Sequence, residues 1–124
     1  MTVSLAEQID SVLSEFENHI PYVQATALFD TDGLVISSRL PGGVDEQKIG
    51  AMTAAILSIS NRSGEELERG NMKRILVEGD SGSIVIMSVG NETVLVALVG
   101  QDVKLGILFY ECRQCISQIM NIMQ

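Results

Sequence analysis

The chain has 124 residues and a formal net charge of −8; 46% of its residues are hydrophobic, yet it has no tryptophan. That length is expected to form one domain, 1–124, which buries roughly two-thirds of its unfolded surface and so needs no disulfide or metal to fold. A surface this acidic repels phosphate backbones and anionic headgroups, which argues against nucleic-acid binding and against docking on lipid, and favours solubility and a basic partner.

Acids recur every few residues in the opening MTVSLAEQIDSVLSEF, and no basic stretch precedes an apolar one, so no signal peptide is expected. From about Thr2 to His19 the residues Leu5, Ile9, Val12, Leu13, Phe16 and Ile20 recur at helical spacing, and Pro21 ends the helix because it breaks the hydrogen-bond ladder and disfavours helical geometry at Ile20. Residues 22–29 and 34–39 flank Asp30-Thr31-Asp32-Gly33, a hairpin turn in which Gly33 supplies a positive φ. Leu40-Pro41-Gly42-Gly43 is a break, and Asp45 is placed to cap a helix over 45–68, with Glu46 complementing the helix dipole.

That helix carries the most informative pattern. A helical wheel puts Ile49, Met52, Ile56, Ile59, Ser60, Ser63 and Leu67 on one side, which reads as the stripe facing the sheet. The remaining sides should then be polar, but Gly50, Thr53 and Leu57 occupy one shoulder and Ala51, Ala55 and Ser58 the other, with Ala54 between. Over its first three turns the helix has no charged face, and a helix that is small and apolar nearly all round is covered on more than one side. In a chain this short, a second chain is the economical source of that cover.

Three strands follow, over 72–78, 84–89 and 93–99, joined by Gly79-Asp80-Ser81-Gly82 and Gly90-Asn91-Glu92. The latter two are almost continuously apolar and are expected in the middle of the sheet. The first alternates, carries its charges early and is expected at an edge, where another chain can add on. A last helix over about 103–123 has a broad apolar side, including Leu108, Cys112, Cys115 and Ile119, and is expected beside the first helix, leaving the middle helix for the other face of a small α+β sandwich. No apolar run approaches the ~20 residues of a membrane span. The two cysteines suit a reducing compartment, so the cytoplasm is the expected location.

Residues that carry chemistry are sparse. There is no P-loop pattern. Gly-Asp-Ser-Gly is a hairpin turn, so neither Ser81 nor Ser83 is expected to act as a nucleophile, and His19 is placed at a helix end. Cys112-Arg-Gln-Cys115 lies within a helix on its apolar side and reads as two buried reduced thiols rather than a redox couple. Asp30/Asp32 and Glu65/Glu66 read as turn formers and a solvated helix end. No catalytic, metal or cofactor residue is assigned, and no enzyme activity is expected.

The order helix, two strands, long helix, three strands, helix resembles the roadblock / dynein light chain family along essentially the whole chain. ATALFDTDGLVISSRL is similar to that family's opening hairpin, as are the small-residue helix around Ala51–Ser63, the strand Ile75–Glu78 and the hairpin Ile84–Val99. The resemblance implies a five-stranded antiparallel sheet, with the first and last helices on one face and the middle helix on the other. It implies pairing, with itself or a paralogous chain, through the middle helix and the following edge strand. The residues carried onto that contact are Ala51, Ala54, Ala55, Leu57, Ser58, Met72, Arg74 and Ile75, with Arg62 bordering it. It further implies a scaffold or regulator of a Ras-like small GTPase. Arg39, Arg62 and Arg69 are the candidates for a catalytic arginine donated to that partner, although an indirect effect on its switch loops is preferred. The alternatives are a profilin-like ligand-sensing domain, whose polar handles would be Thr26, Ser37, Ser88 and Thr93, and a passive dimeric adaptor without a GTPase partner.

Overall fold

The structure, a computed structural model, describes residues 3–124. Helix α1 spans Leu5–His19, and the Glu7 amide donates to Ser4 Oγ at 3.1 Å, so Ser4 is the N-cap and the helix starts there rather than at Thr2, which lies outside the described residues. It ends at Ile20, held extended (φ −120°, ψ 99°) before Pro21. Strands β1 (Val23–Asp30) and β2 (Val35–Arg39) form the first hairpin. Asp30 Oδ1 accepts from the amides of Asp32 and Leu34, both at 2.9 Å, and Gly33 takes φ +89°. Helix α2 runs Glu46–Glu66 behind Asp45, whose carboxylate accepts from the Gln47 and Lys48 amides as expected. Strands β3 (Arg74–Gly79), β4 (Gly82–Val89) and β5 (Thr93–Val99) form the meander, and helix α3 spans Leu105–Met123.

The sheet order is β2-β1-β5-β4-β3, antiparallel throughout. β5 is therefore central and almost wholly buried, β4 lies inside the sheet, and β3 is an edge strand, as the sequence pattern predicts. Alternating residues feed two cores. On one face Ile9, Leu13 and Phe16 of α1 and Leu108, Cys112, Cys115 and Ile119 of α3 close over Leu28, Val85, Leu95 and Ala97. On the other, α2 covers Ala27, Phe29, Ile86, Val94 and Val96.

The rotation of α2 differs from the expected one. Met52 and Ile59, assigned to the sheet-facing stripe, are 50% and 69% exposed, and Leu67 just past the helix end is also exposed. The inward residues are Gly50, Thr53 and Leu57, with Ile49 and Ile56 half-buried beside them. The cause is a backbone contact. A Cβ added at Gly50 would lie 2.1 Å from the Gly33 carbonyl oxygen, and one added at Gly33 would lie 2.5 Å from that of Gly50. Helix and hairpin turn meet main chain to main chain, which is possible only where both residues lack a side chain. That contact points the Gly50–Thr53–Leu57 line at the sheet and turns the Met52–Ile59 line outward.

Two substitutions test this seating by urea unfolding. Leu57→Ala should lose about 2–5 kcal/mol, independent of protein concentration, because it empties a site inside the protomer. Gly50→Ala should lose about 1–3 kcal/mol although alanine is the better helix former, because its methyl has no room against Gly33.

Candidate partner interface

The outward side of α2 carries Ala51, Met52, Ala55, Ser58, Ile59 and Arg62, all exposed. Spacings of three and four residues place them on one strip of helix surface, and only Arg62 among them is charged. Of the residues proposed from sequence, the structure brings Ala51, Ala55, Ser58 and Arg62 together on this strip, with Ala54 half-buried at its margin. Leu57 is corrected: it is 4% exposed and packs with the sheet beneath α2, so it offers nothing to a second chain. Met52 and Ile59 take its place. No hydrophobic pattern in the sequence signals this rotation, because Gly50, which sets it, carries no weight on a helical wheel.

On the edge strand, Ile75 and Met72 are half-buried under the α2 side, while Leu76 and Val77 remain exposed and the outer backbone groups of β3 face no other strand. Arg74 projects to the other face, where its guanidinium carbon stands 4.3 Å from the ring centroid of Phe109 on α3, a cation–π contact the sequence did not signal.

The three candidate arginines are in different situations. Arg39 bridges β2 to α1. Its Nε donates to Glu17 Oε2 at 3.1 Å and its Nη1 approaches Asp10 Oδ1 at 3.3 Å, while Glu17 Oε1 accepts from the buried Thr26 hydroxyl at 2.9 Å. The hydrogen bond it donates to Glu17, with a weaker one to Asp10, holds the guanidinium above its usual pKa against the opposing effect of burial. Arg62 pairs with Glu66 one turn on, at 2.9 Å, with most of its side chain in water, and Arg69 Nε donates to the Leu67 carbonyl at 3.2 Å.

Three of the four polar handles named for a ligand-sensing domain are already engaged within the chain: Thr26 with Glu17, Ser88 with the Met72 carbonyl, and Thr93 with the Val89 carbonyl, while Ser37 is half-buried on β2. Cys112 and Cys115 are free and buried, and desolvation pushes both thiols up to about 12. His19 Nδ1 lies 3.7 Å from Glu111 Oε2 where α1 ends beside α3.

Three helices around a five-stranded antiparallel sheet, with one helix strip and one sheet edge left uncovered, define a profilin-like sandwich of the roadblock type. The chain belongs to the Roadblock/LC7 domain family, whose model matches residues 8–99. It is 35% identical over 100 residues to the uncharacterized protein MJ0310 of Methanocaldococcus jannaschii, covering 81% of this chain and 86% of that one. Its fold is that of Myxococcus xanthus MglB (TM-score 0.87, 19% identity, 93% of this chain and 94% of that one). It is also that of an MglB with a tetrameric arrangement (TM-score 0.88, 14% identity, 98% of this chain and 92% of that one). Among the described residues, no helix is long and apolar enough to cross a membrane.

The thiols give a pH prediction. In the unfolded chain they ionise near 9, whereas the folded chain holds both protons until about 12, so the unfolded state binds fewer protons within that window. Stability is fully retained below pH 9 and should fall as pH rises towards 12, with a shallower fall in Cys112→Ala and Cys115→Ala. In chemical denaturation at stepped pH, equal slopes for wild type and variants would contradict the burial of these thiols. At pH 8 a thiol-reactive dye should label both cysteines only after unfolding.

Proposed function

We propose that this chain is a non-catalytic, dimeric scaffold that binds a Ras-like small GTPase and modulates its nucleotide cycle or its placement in the cytoplasm. The observation that carries the proposal is the outward strip of α2: Met52 and Ile59 stand in water among Ala51, Ala55 and Ser58, beside an edge strand with Leu76 and Val77 exposed. Apolar surface arranged in this way is removed from water by a second copy, or a paralogous chain, whose α2 lies against this one while β3 adds to β3. Small residues let the two helices approach closely, and Met52 and Ile59 supply the buried area. Family membership and the fold shared with an MglB of tetrameric arrangement support association between chains of this type.

The dimer offers the GTPase a platform rather than a catalytic group. Arg39 is committed to Glu17 and Asp10, and releasing it would leave both carboxylates unpaired. Arg62 and Arg69 lie at the solvated end of α2, each already engaged locally. Docking therefore acts on the partner's switch loops, by binding one of their arrangements better than the other.

Two measurements check this reading. By light scattering on a sizing column, wild type should run as a dimer and Met52→Glu/Ile59→Glu as a monomer with an intact circular-dichroism spectrum; a wild-type monomer at high micromolar concentration would refute the pairing. In single-turnover GTP hydrolysis by a GTPase retained from the source cytosol in one nucleotide state, Arg62→Ala and Arg69→Ala should change the rate less than about threefold. A donated arginine would instead cost about 10³–10⁵.

A further inference from the structure

Where the chain enters β3, the C-terminal half of α3 and the residues leading into that strand border an open groove of about 460 Å³. Met72, Met87, Ile116 and Met120 form its apolar lining, with Met120 39% exposed. Lys73 and Arg113 stand on its rim. The chain has only eight lysines and arginines against sixteen acids. Two of the eight stand here, and neither forms an ion pair among the described residues, so no carboxylate of this chain neutralises them.

We propose that this groove is a docking site for an acidic peptide segment carrying large apolar side chains. Charge complementarity argues for that occupant. Two cations left without carboxylates, in a molecule where acids are twice as numerous as bases, offer counter-charges to an acidic segment. The carboxylates of a peptide satisfy them without any rearrangement of this protein. The lining asks for leucine- or phenylalanine-sized groups, and the methionine side chains adapt to either. A flat anionic membrane fits less well, because the remaining surface, at net −8, would be driven towards the same negative layer. The site is built on α3 and the approach to β3 and not on the outward strip of α2, so its occupancy is read without a GTPase, and its failure would leave that strip untouched.

The experiment uses the full chain and a fluorescein-labelled 14-residue peptide with Leu and Phe at positions i, i+3, i+4 and i+7 and Glu elsewhere. The control peptide has Lys in place of every Glu. By anisotropy the acidic peptide should bind, more weakly as salt is raised, and the lysine peptide should not. Lys73→Glu/Arg113→Glu, two exposed positions, should weaken binding about tenfold or more with an unchanged thermal melt. Should that melt shift, Lys73→Gln/Arg113→Gln should weaken binding in the same direction by a smaller factor. The ¹³C-methyl signals of Met87 and Met120 should move on titration and that of Met52 should not. Equal binding of both peptides, an unaffected charge variant, methyl shifts confined to Met52, or binding to phosphatidylserine vesicles in place of the peptide would each overturn the proposal.

Discussion

The seating of α2 rests on the contact between two backbones at Gly33 and Gly50. No side chain stands between the turn of the first hairpin and the second turn of the helix. With that point pinned, the rest of the helix can present only one face to the sheet, and Thr53 and Leu57 go under. Everything on the opposite side, including two large apolar residues, is left for something else to cover. A methyl group at either glycine would lift the helix end and permit a different rotation. The surface proposed to meet another chain is thus determined by atoms that are absent.

The two edges of the sheet are treated differently, and charge explains much of the difference. β2 ends in Arg39, which is drawn onto α1 by Glu17 and Asp10, with Thr26 completing the cluster from inside the sheet. That edge is tied to its own helix. β3 has no such tie along its outer side; its one charged contact, Arg74 on Phe109, points towards α3 and leaves the strand's hydrogen-bonding edge free. An open edge invites unwanted pairing unless it has an intended mate. The neighbouring strip of α2 supplies the apolar area that would make one mate preferred. The molecule therefore has an acidic, self-contained end at α1 and β2, and an end at β3 and the tail of α3 where most features turn outward.

The exposed methionines belong to that second end. Met52 serves the α2 strip, while Met120 borders the groove beside α3. Their unbranched side chains suit surfaces that change occupants better than β-branched residues would. Cys112 and Cys115 show the contrasting case of soft side chains fully withdrawn: their helical spacing puts them against α1, where lack of solvent holds them as thiols.

Much of the architecture was legible in the sequence because it is governed by local physics. The apolar period of α1, its arrest before Pro21, the Asp30–Gly33 turn, the Asp45 cap and the continuous apolar runs of β4 and β5 all act within a few residues, and each element appears where those signals place it. The edge position of β3 was readable from its early charges, and the lack of charge on the outward side of α2 from its small residues. Its rotation was not readable. A helical wheel weights large apolar residues, whereas the decisive residues here were glycines, which bear no hydrophobic signal and act through the approach distance they allow. Nor could the sequence place Leu57 inside, Arg74 over Phe109, or Arg39 against carboxylates 22 and 29 residues away, since those partners meet only after the sheet has formed. Sequence alone determined which elements form and in what order; the tertiary structure decided which faces they show, because that depends on how closely two backbones can come together.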